Sequence, residues 1–248
     1  MTTTNPSHDD LGAVDRLDRR RGADRSGHRD GVAVAERDDL DHLSDDEVLA
    51  LLARERRTPR PTRAWGVVLA VLGLLGLAAA FTLAVDKYKI LEDPSYVPSC
   101  NLNPVLSCGS IMRTDQASVL GFPNPLMGIV GFSVVVTLGV LLASGVRLPR
   151  GVLAGLAAGG VVGAGFVHWL AYQSMFEIGA LCPWCLVVWT VTLPVALWSV
   201  LVAAGSFAAT RGAATAVWRA RWVLLLVWYA AFVATALVQF WSYWRTLL

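Results

Sequence analysis

Cysteine is scarce in this sequence, with four residues in 248, and methionine and histidine are equally rare. Few soft ligands leave little material for a metal conduit. Met1, Met112, Met127 and Met175 are too scattered to line a path. An excess of one sign of charge is also missing: 21 Lys and Arg face 19 Asp and Glu, a net charge of +2. The basic residues flank apolar runs or are interleaved with acids, which argues against a nucleic-acid partner. No apolar run opens the chain. The first begins near Ala64, so a signal peptide is not expected. Beyond that point charge itself becomes rare. The chain is 55% hydrophobic with mean hydropathy +0.52, more apolar than soluble domains.

The apolar residues fall into five nearly charge-free runs, about 64–85, 124–146, 152–176, 182–205 and 222–244. Each has roughly the 20 residues that cross a bilayer as a helix. The expected fold is an all-α membrane protein. Short turns, one with Arg147, Pro149 and Arg150 and one over Glu177-Ile178-Gly179-Ala180, make spans two to four antiparallel neighbours. Gly155, Gly159 and Gly163, beside Ala164 and Gly165, form a small-residue stripe expected to bring span three close to another helix. Residues 1–62 read as a cytoplasmic tail, disordered over 1–40. A short helix is expected near 44–57, with a Ser44–Glu47 capping box and a Leu43–Val48 staple. Residues 63–248 form the membrane domain, with an outer loop at 87–122.

Arginine sets the orientation. Arg54, Arg56, Arg57, Arg60 and Arg63 precede span one; Arg147 and Arg150 follow span two; Arg211, Arg219 and Arg221 follow span four. The opposite side carries Lys87, Lys89, Arg113 and Arg245 among Asp86, Glu92, Asp93, Asp115 and Glu177. The positive-inside rule puts the N-terminus in the cytoplasm and the C-terminus outside. All four cysteines then face the oxidising side, where disulfides persist.

Those cysteines form two close pairs. Cys182-Pro183-Trp184-Cys185 opens span four, with Cys182 near the N-cap and Pro183 at the first helical position. A helix N-terminus stabilises a thiolate, which makes Cys182 a good nucleophile and leaving group. Cys185 lies one turn deeper. Cys100 and Cys108 flank a loop in which Asn103-Pro104 reads as the start of a short helix carrying Cys108. Val105, Leu106, Ile111 and Met112 would be its membrane-facing side. Cys108 is thus placed to reach the membrane pair, and Cys100, on a mobile stretch, to meet a soluble partner. Two pairs that can exchange with each other make a disulfide relay. A four-thiolate zinc site or static staples are the blander alternatives.

The runs Cys100-Asn101-Leu102-Asn103-Pro104-Val105-Leu106-Ser107-Cys108-Gly109-Ser110, Gly121-Phe122-Pro123-Asn124-Pro125-Leu126-Met127-Gly128 and Cys182-Pro183-Trp184-Cys185 together resemble vitamin K epoxide reductase and its bacterial homologues. The likeness covers about residues 64–205. It implies a four-helix transmembrane bundle around a quinone, with a fifth helix beyond it. It also implies a direction of electron flow. A reduced extracytoplasmic thioredoxin-fold thiol oxidase attacks a Cys100–Cys108 disulfide, Cys108 attacks Cys182, and Cys185 passes electrons to a quinone, with menaquinone expected. Many bacterial members carry a fused thioredoxin-like domain. With the sequence ending at Leu248, the partner is expected in trans. Asn124 matches a quinone-contacting asparagine of the family, though its position also suits a cap for span two. Phe122, Met127 and Trp189 are expected to line the ring. Trp189 stands where the animal enzyme has tyrosine, and Met127 where it has phenylalanine.

Two further residues lie near this chemistry. His168, inside span three, is an intramembrane ionisable group and so a candidate proton relay, or simply a bundle hydrogen bond. Glu177 precedes the CxxC and reads as an interfacial acid. A soft-metal carrier would want more ligands along the bilayer than His168 alone, and an inert structural subunit would not need Pro-Trp between cysteines at a helix start.

Overall fold

The computed structural model describes residues 44–46, 49 and 59–246. The chain divides into two units, Met1–Arg57 and Thr58–Leu248. In the first, Asp45, Asp46 and Leu49 are helical and Ser44 precedes them. The expected disorder of 1–40, and Glu47, Leu43 and Val48 of the expected cap and staple, lie outside the described residues.

The second unit is built from helices: α1 (Arg63–Glu92), α2 (Cys108–Met112), α3 (Pro125–Ala143), α4 (Arg150–Tyr172), α5 (Pro183–Gly205), α6 (Arg211–Gln239) and α7 (Trp241–Trp244). A 3-10 turn covers Asp115–Ser118, and α4 continues as a π-helix through Gln173–Ile178. Five of these helices are long and apolar enough to cross a membrane, so the protein is an all-α, multi-pass membrane protein. Helices α1 and α6 run longer than the apolar runs suggested, because Lys87, Glu92 and the arginines at 211–221 continue the helix beyond the hydrocarbon-like stretch.

Helix α5 is central. Of its most apolar window 61% is buried, against 6% for α6. Helices α1 and α3 pack as one pair and α4 and α5 as another, with α1 joining α5 and α6 set against α5; α3 and α4 hardly meet. Glycine makes the first pairing close. Gly66 and Gly139 cross so tightly that a Cβ on Gly139 would lie 2.5 Å from Ala70 N, and one on Gly66 would strike the backbone of Ala143. The expected stripe on α4 is not such a seam. A Cβ on Gly155, Gly159 or Gly165 would meet nothing, and one on Gly163 would only touch Thr192 at 3.8 Å. The close approach is one position away, at Gly160 against Ala196. A four-residue spacing marks a helix face but not which face its neighbour covers.

Pro194 sits inside α5, where it lacks the N–H that would bond the carbonyl four residues back. That carbonyl belongs to Thr190, and it accepts from Tyr229 Oη of α6 at 2.7 Å. A backbone group freed within the membrane thus finds a partner on the next helix.

Candidate functional site

Cys100 and Cys108 form a disulfide, and Cys182 and Cys185 are free thiols. Cys182 Sγ lies 3.2 Å from Cys108 Sγ. The two sulfurs come from segments 74 residues apart. Local structure on each side accounts for their meeting.

On the loop side, Asn103 does not start a helix as expected. Its Oδ1 accepts from Val105 N at 3.0 Å and Leu106 N at 2.7 Å, an Asx turn that makes the chain extended rather than helical. The helix begins at Cys108 instead, with Ser107 as N-cap accepting from Ser110 N at 3.2 Å. Asn101 Oδ1 accepts from Gly109 N at 2.8 Å and folds the loop back over the disulfide.

On the membrane side, the connection after α4 is a π-turn that closes at Gly179, whose φ of 72° is left-handed and suits glycine. The chain then leaves extended. Leu181 N donates to Val105 O at 2.7 Å, and Ser107 N donates to Leu181 O at 2.8 Å. This parallel bridge between Leu106 and Leu181 fastens the two cysteine-bearing segments side by side. Cys108 follows one partner by two residues and Cys182 follows the other by one.

Cys182 is the N-cap of α5, and its sulfur accepts from Cys185 N at 3.3 Å, with Pro183 opening the helix as expected. Its thiol is held below the ordinary value, chiefly by the hydrogen bond from the Cys185 thiol. The backbone N–H groups of Cys185 and Trp184 add to this, while burial and the nearby Asp86 charge oppose it.

The cysteines are more enclosed than expected. Cys100 is 6% exposed, Cys182 2% and Cys108 not at all, while Cys185 is half-buried. Cys100 is therefore not on a surface stretch in this state. Ile111 and Met112 pack with Leu83, Ile90 and the cysteines rather than facing lipid, and Val105 packs with Met175, Leu181 and Phe240. What the loop does present outward is apolar: Val97 and Leu102, on either side of Cys100, are 65% and 66% exposed.

The expected ring-lining residues sit on two segments, around the start of α3 and in the first turns of α5. Asn124 is buried and its amide is engaged: Nδ2 donates to Gln116 O at 2.7 Å and Oδ1 accepts from Val119 N at 3.1 Å. It occupies the N-cap position of α3 without a side-chain cap and instead ties down the 3-10 turn. Phe122 is exposed and Met127 partly buried, neither within a core cluster. Trp189 packs against Phe232 with ring centres 4.1 Å apart, and against Tyr229 and His168. Its Nε1 is buried with no hydrogen-bond partner. Four residues separate it from Cys185, so it lies one turn below on the same face of α5.

His168 is held at both nitrogens. Nδ1 lies 2.6 Å from Ala164 O, and Trp228 Nε1 donates to Nε2 at 2.8 Å. Because Nε2 accepts, the ring is the neutral tautomer with its proton on Nδ1, a tie between α4 and α6. Glu177 is exposed in the π-turn. Among the described residues no three His, Cys, Asp or Glu side chains gather as a metal-holding group.

Sequence reasoning counted Asp86 only as an outer-side charge. It is 5% exposed, with Oδ1 accepting from Tyr96 Oη at 3.0 Å and Oδ2 4.0 Å from Cys100 Sγ. Only its intervals from the cysteines were visible in the sequence, and those carry no contact information.

The family model described as "Vitamin K epoxide reductase family" matches residues 67–200, more than half of the chain and inclusive of all four cysteines. No curated protein matches the sequence.

Proposed function

The chain belongs to the vitamin K epoxide reductase family, and on that premise we propose that it is a membrane thiol:quinone oxidoreductase. It reoxidises an extracytoplasmic thioredoxin-fold thiol oxidase and so sustains disulfide bond formation. The observation that carries this reading is the 3.2 Å approach of Cys182 Sγ to Cys108 Sγ, with Cys108 already paired to Cys100.

The exchange runs as follows in this chain's own residues. A thiolate of the reduced partner attacks Cys100, Cys108 leaves, and the partner's second thiol closes its disulfide and frees Cys100. Val97 and Leu102 offer the apolar surface on which such a partner docks. Cys108 then attacks Cys182 of a Cys182–Cys185 disulfide, and Cys185 leaves. Cys100 attacks Cys108 in turn, which restores Cys100–Cys108 and releases Cys182. Two electrons and two protons then rest on Cys182 and Cys185, the distribution found in the fold described above. The low-lying thiol of Cys182 favours its departure at this step.

A quinone, with menaquinone our candidate, supplies a two-electron, two-proton acceptor when bound. The partnerless Trp189 Nε1, one turn below Cys185, suits a carbonyl acceptor. Trp189 would donate the hydrogen bond. Met127 and Phe122 would pack on the ring, and Asn124 would hold the adjoining turn in shape while offering its second amide proton. The reading that the cysteines face the extracytoplasmic side is supported by Arg60, Arg63, Arg147 and Arg150, which surround one 440 Å³ crevice at the other end of the bundle.

The test is quinone absorbance in purified protein given a reduced thioredoxin-fold protein, wild type beside Cys182→Ala. Quinol formation in the wild type, lost in the variant, is the expected result. No quinol from a wild type with four titratable thiols would overturn the assignment.

A further inference from the structure

The exchange above leaves a proton without a destination. Cys100 must attack Cys108 as a thiolate, yet it is enclosed, and a desolvated thiolate formed without a proton acceptor is costly. The nearest acceptor is built into the end of α1. Asp86 Oδ2 lies 4.0 Å from Cys100 Sγ, and the carboxylate is 5% exposed. Its other oxygen accepts from Tyr96 Oη at 3.0 Å, and Tyr96 is only partly buried, so the phenol joins the carboxylate to the surface.

The other charged and titratable groups around Asp86 are engaged elsewhere. On its own helix, Lys87 donates to Met112 O at 2.5 Å, with Asp115 and Arg113 as its electrostatic neighbours. Lys89 lies 5.3 Å from the centre of the Tyr96 ring. In the loop, Arg113 donates to Pro94 O at 2.9 Å and Tyr96 O at 3.0 Å, which holds the phenol's backbone in place. From the start of α5, Cys182 is the titratable group within electrostatic reach. Asp86 is thus the group aimed at the attacking sulfur.

We propose that Asp86 is the general base that deprotonates Cys100 for its attack on a Cys108–Cys182 disulfide. This rests on the thiol-exchange reading and assigns its missing proton step. Cys100 Sγ–H gives its proton to Asp86 Oδ2. The Cys100–Cys108 bond forms, the Cys108–Cys182 bond breaks, and its electron pair leaves on Cys182 as thiolate. No outside oxidant enters; the proton leaves Asp86 on its Tyr96 side toward solvent, and the Cys182 thiolate takes one up in exchange, so that Cys182 and Cys185 end as two thiols.

The test is a single turnover of full-length protein. Quinone-oxidised protein is mixed with limiting reduced thioredoxin, quenched in acid at intervals, and the Cys108–Cys182 linked peptide is followed by mass spectrometry from about pH 5.5 to about pH 9. In Asp86→Asn the linked form should persist, its decay slowed about a hundredfold near neutrality, the gap narrowing as a thiol ionises unaided near pH ~8.5. Asp86→Glu should recover most of the rate. Tyr96→Phe, which removes a donor from the carboxylate, should move the acid limb of the decay to higher pH. Decay of Asp86→Asn at the wild-type rate, slowing that is the same at every pH, or an unmoved limb in Tyr96→Phe would each overturn the proposal. A wild type that makes neither linked species nor quinol would bring down the exchange reading itself, a separate failure from normal flow with an indifferent Asp86.

Discussion

At the scale of single residues the chemistry turns on sulfur positions, and two expectations follow. Removing Cys100 leaves Cys108 free beside Cys182, with no rival within its loop. Cys100→Ala oxidised by quinone should therefore accumulate a Cys108–Cys182 disulfide in non-reducing peptide maps, and the additional change Cys182→Ala should abolish it. The second concerns pH. The Cys182 thiol is lowered, so its thiolate appears at lower pH than an ordinary cysteine's and is lost only when pH falls through that lowered value. Alkylation of Cys182 in a Cys100→Ala/Cys108→Ala background should rise with a midpoint below that of an ordinary cysteine thiol. Replacing Cys185 with Ala removes the largest cause and should move the midpoint up. The sequence already displayed the four cysteines and the N-cap role of Cys182, because a CxxC with proline at a helix start is a local pattern. Asp86 and Tyr96 could not be read that way. Ten residues apart and on opposite sides of a helix end, they meet Cys100 only once the loop has folded back.

Elements rather than residues decide how closely the two cysteine segments meet. Leu181→Pro deletes the N–H that donates to Val105 O, and with it one of the two bridge hydrogen bonds. All four thiols would remain, yet transfer from Cys108 to Cys182 should slow at least about tenfold, since a misplacement of order 1 Å has that effect on reacting groups. Quenched-flow peptide mapping reads this directly. Packing offers a sharper contrast. Gly139→Ala sets a Cβ against the α1 backbone and should cost about 1–3 kcal/mol, seen as a lower melting temperature in detergent. Gly159→Ala, whose Cβ meets nothing, should be neutral or mildly stabilising in the same assay. Likewise Tyr229→Phe should cost about 1 kcal/mol in the native background, because it strands the Thr190 carbonyl. In Pro194→Ala the new N–H can take that carbonyl, so the same change should cost little. The transmembrane helices were plain in the sequence from run length alone. The bridge was not, because one pair of hydrogen bonds between two loops leaves no periodicity. The small stripe misled because Gly155 and Gly159 happen to face away from α5, where Gly160 is the contact.

For the whole molecule, the two ends of the bundle differ in kind. One end gathers arginines from before α1, from the α3–α4 turn and from the start of α6 around neighbouring crevices. The other gathers the sulfurs under an outer loop. Orientation is therefore open to a single experiment in intact cells. In a background without native cysteines, Ser95→Cys should react with a membrane-impermeant maleimide, while Ser144→Cys should react only after permeabilisation. The reverse pattern would invert the topology drawn from arginine. The enclosure of Cys100, Cys108 and Cys182 has a further consequence for which thiols reach them. On the proposed reading, small soluble thiols that diffuse past find three of the four sulfurs enclosed and only Cys185 half-buried, so the reservoir would not leak to whatever reductant is most abundant. Admission would then rest on the ability to prise the loop at the exposed Val97 and Leu102, with selectivity set by shape at the door rather than by the ranking of redox potentials.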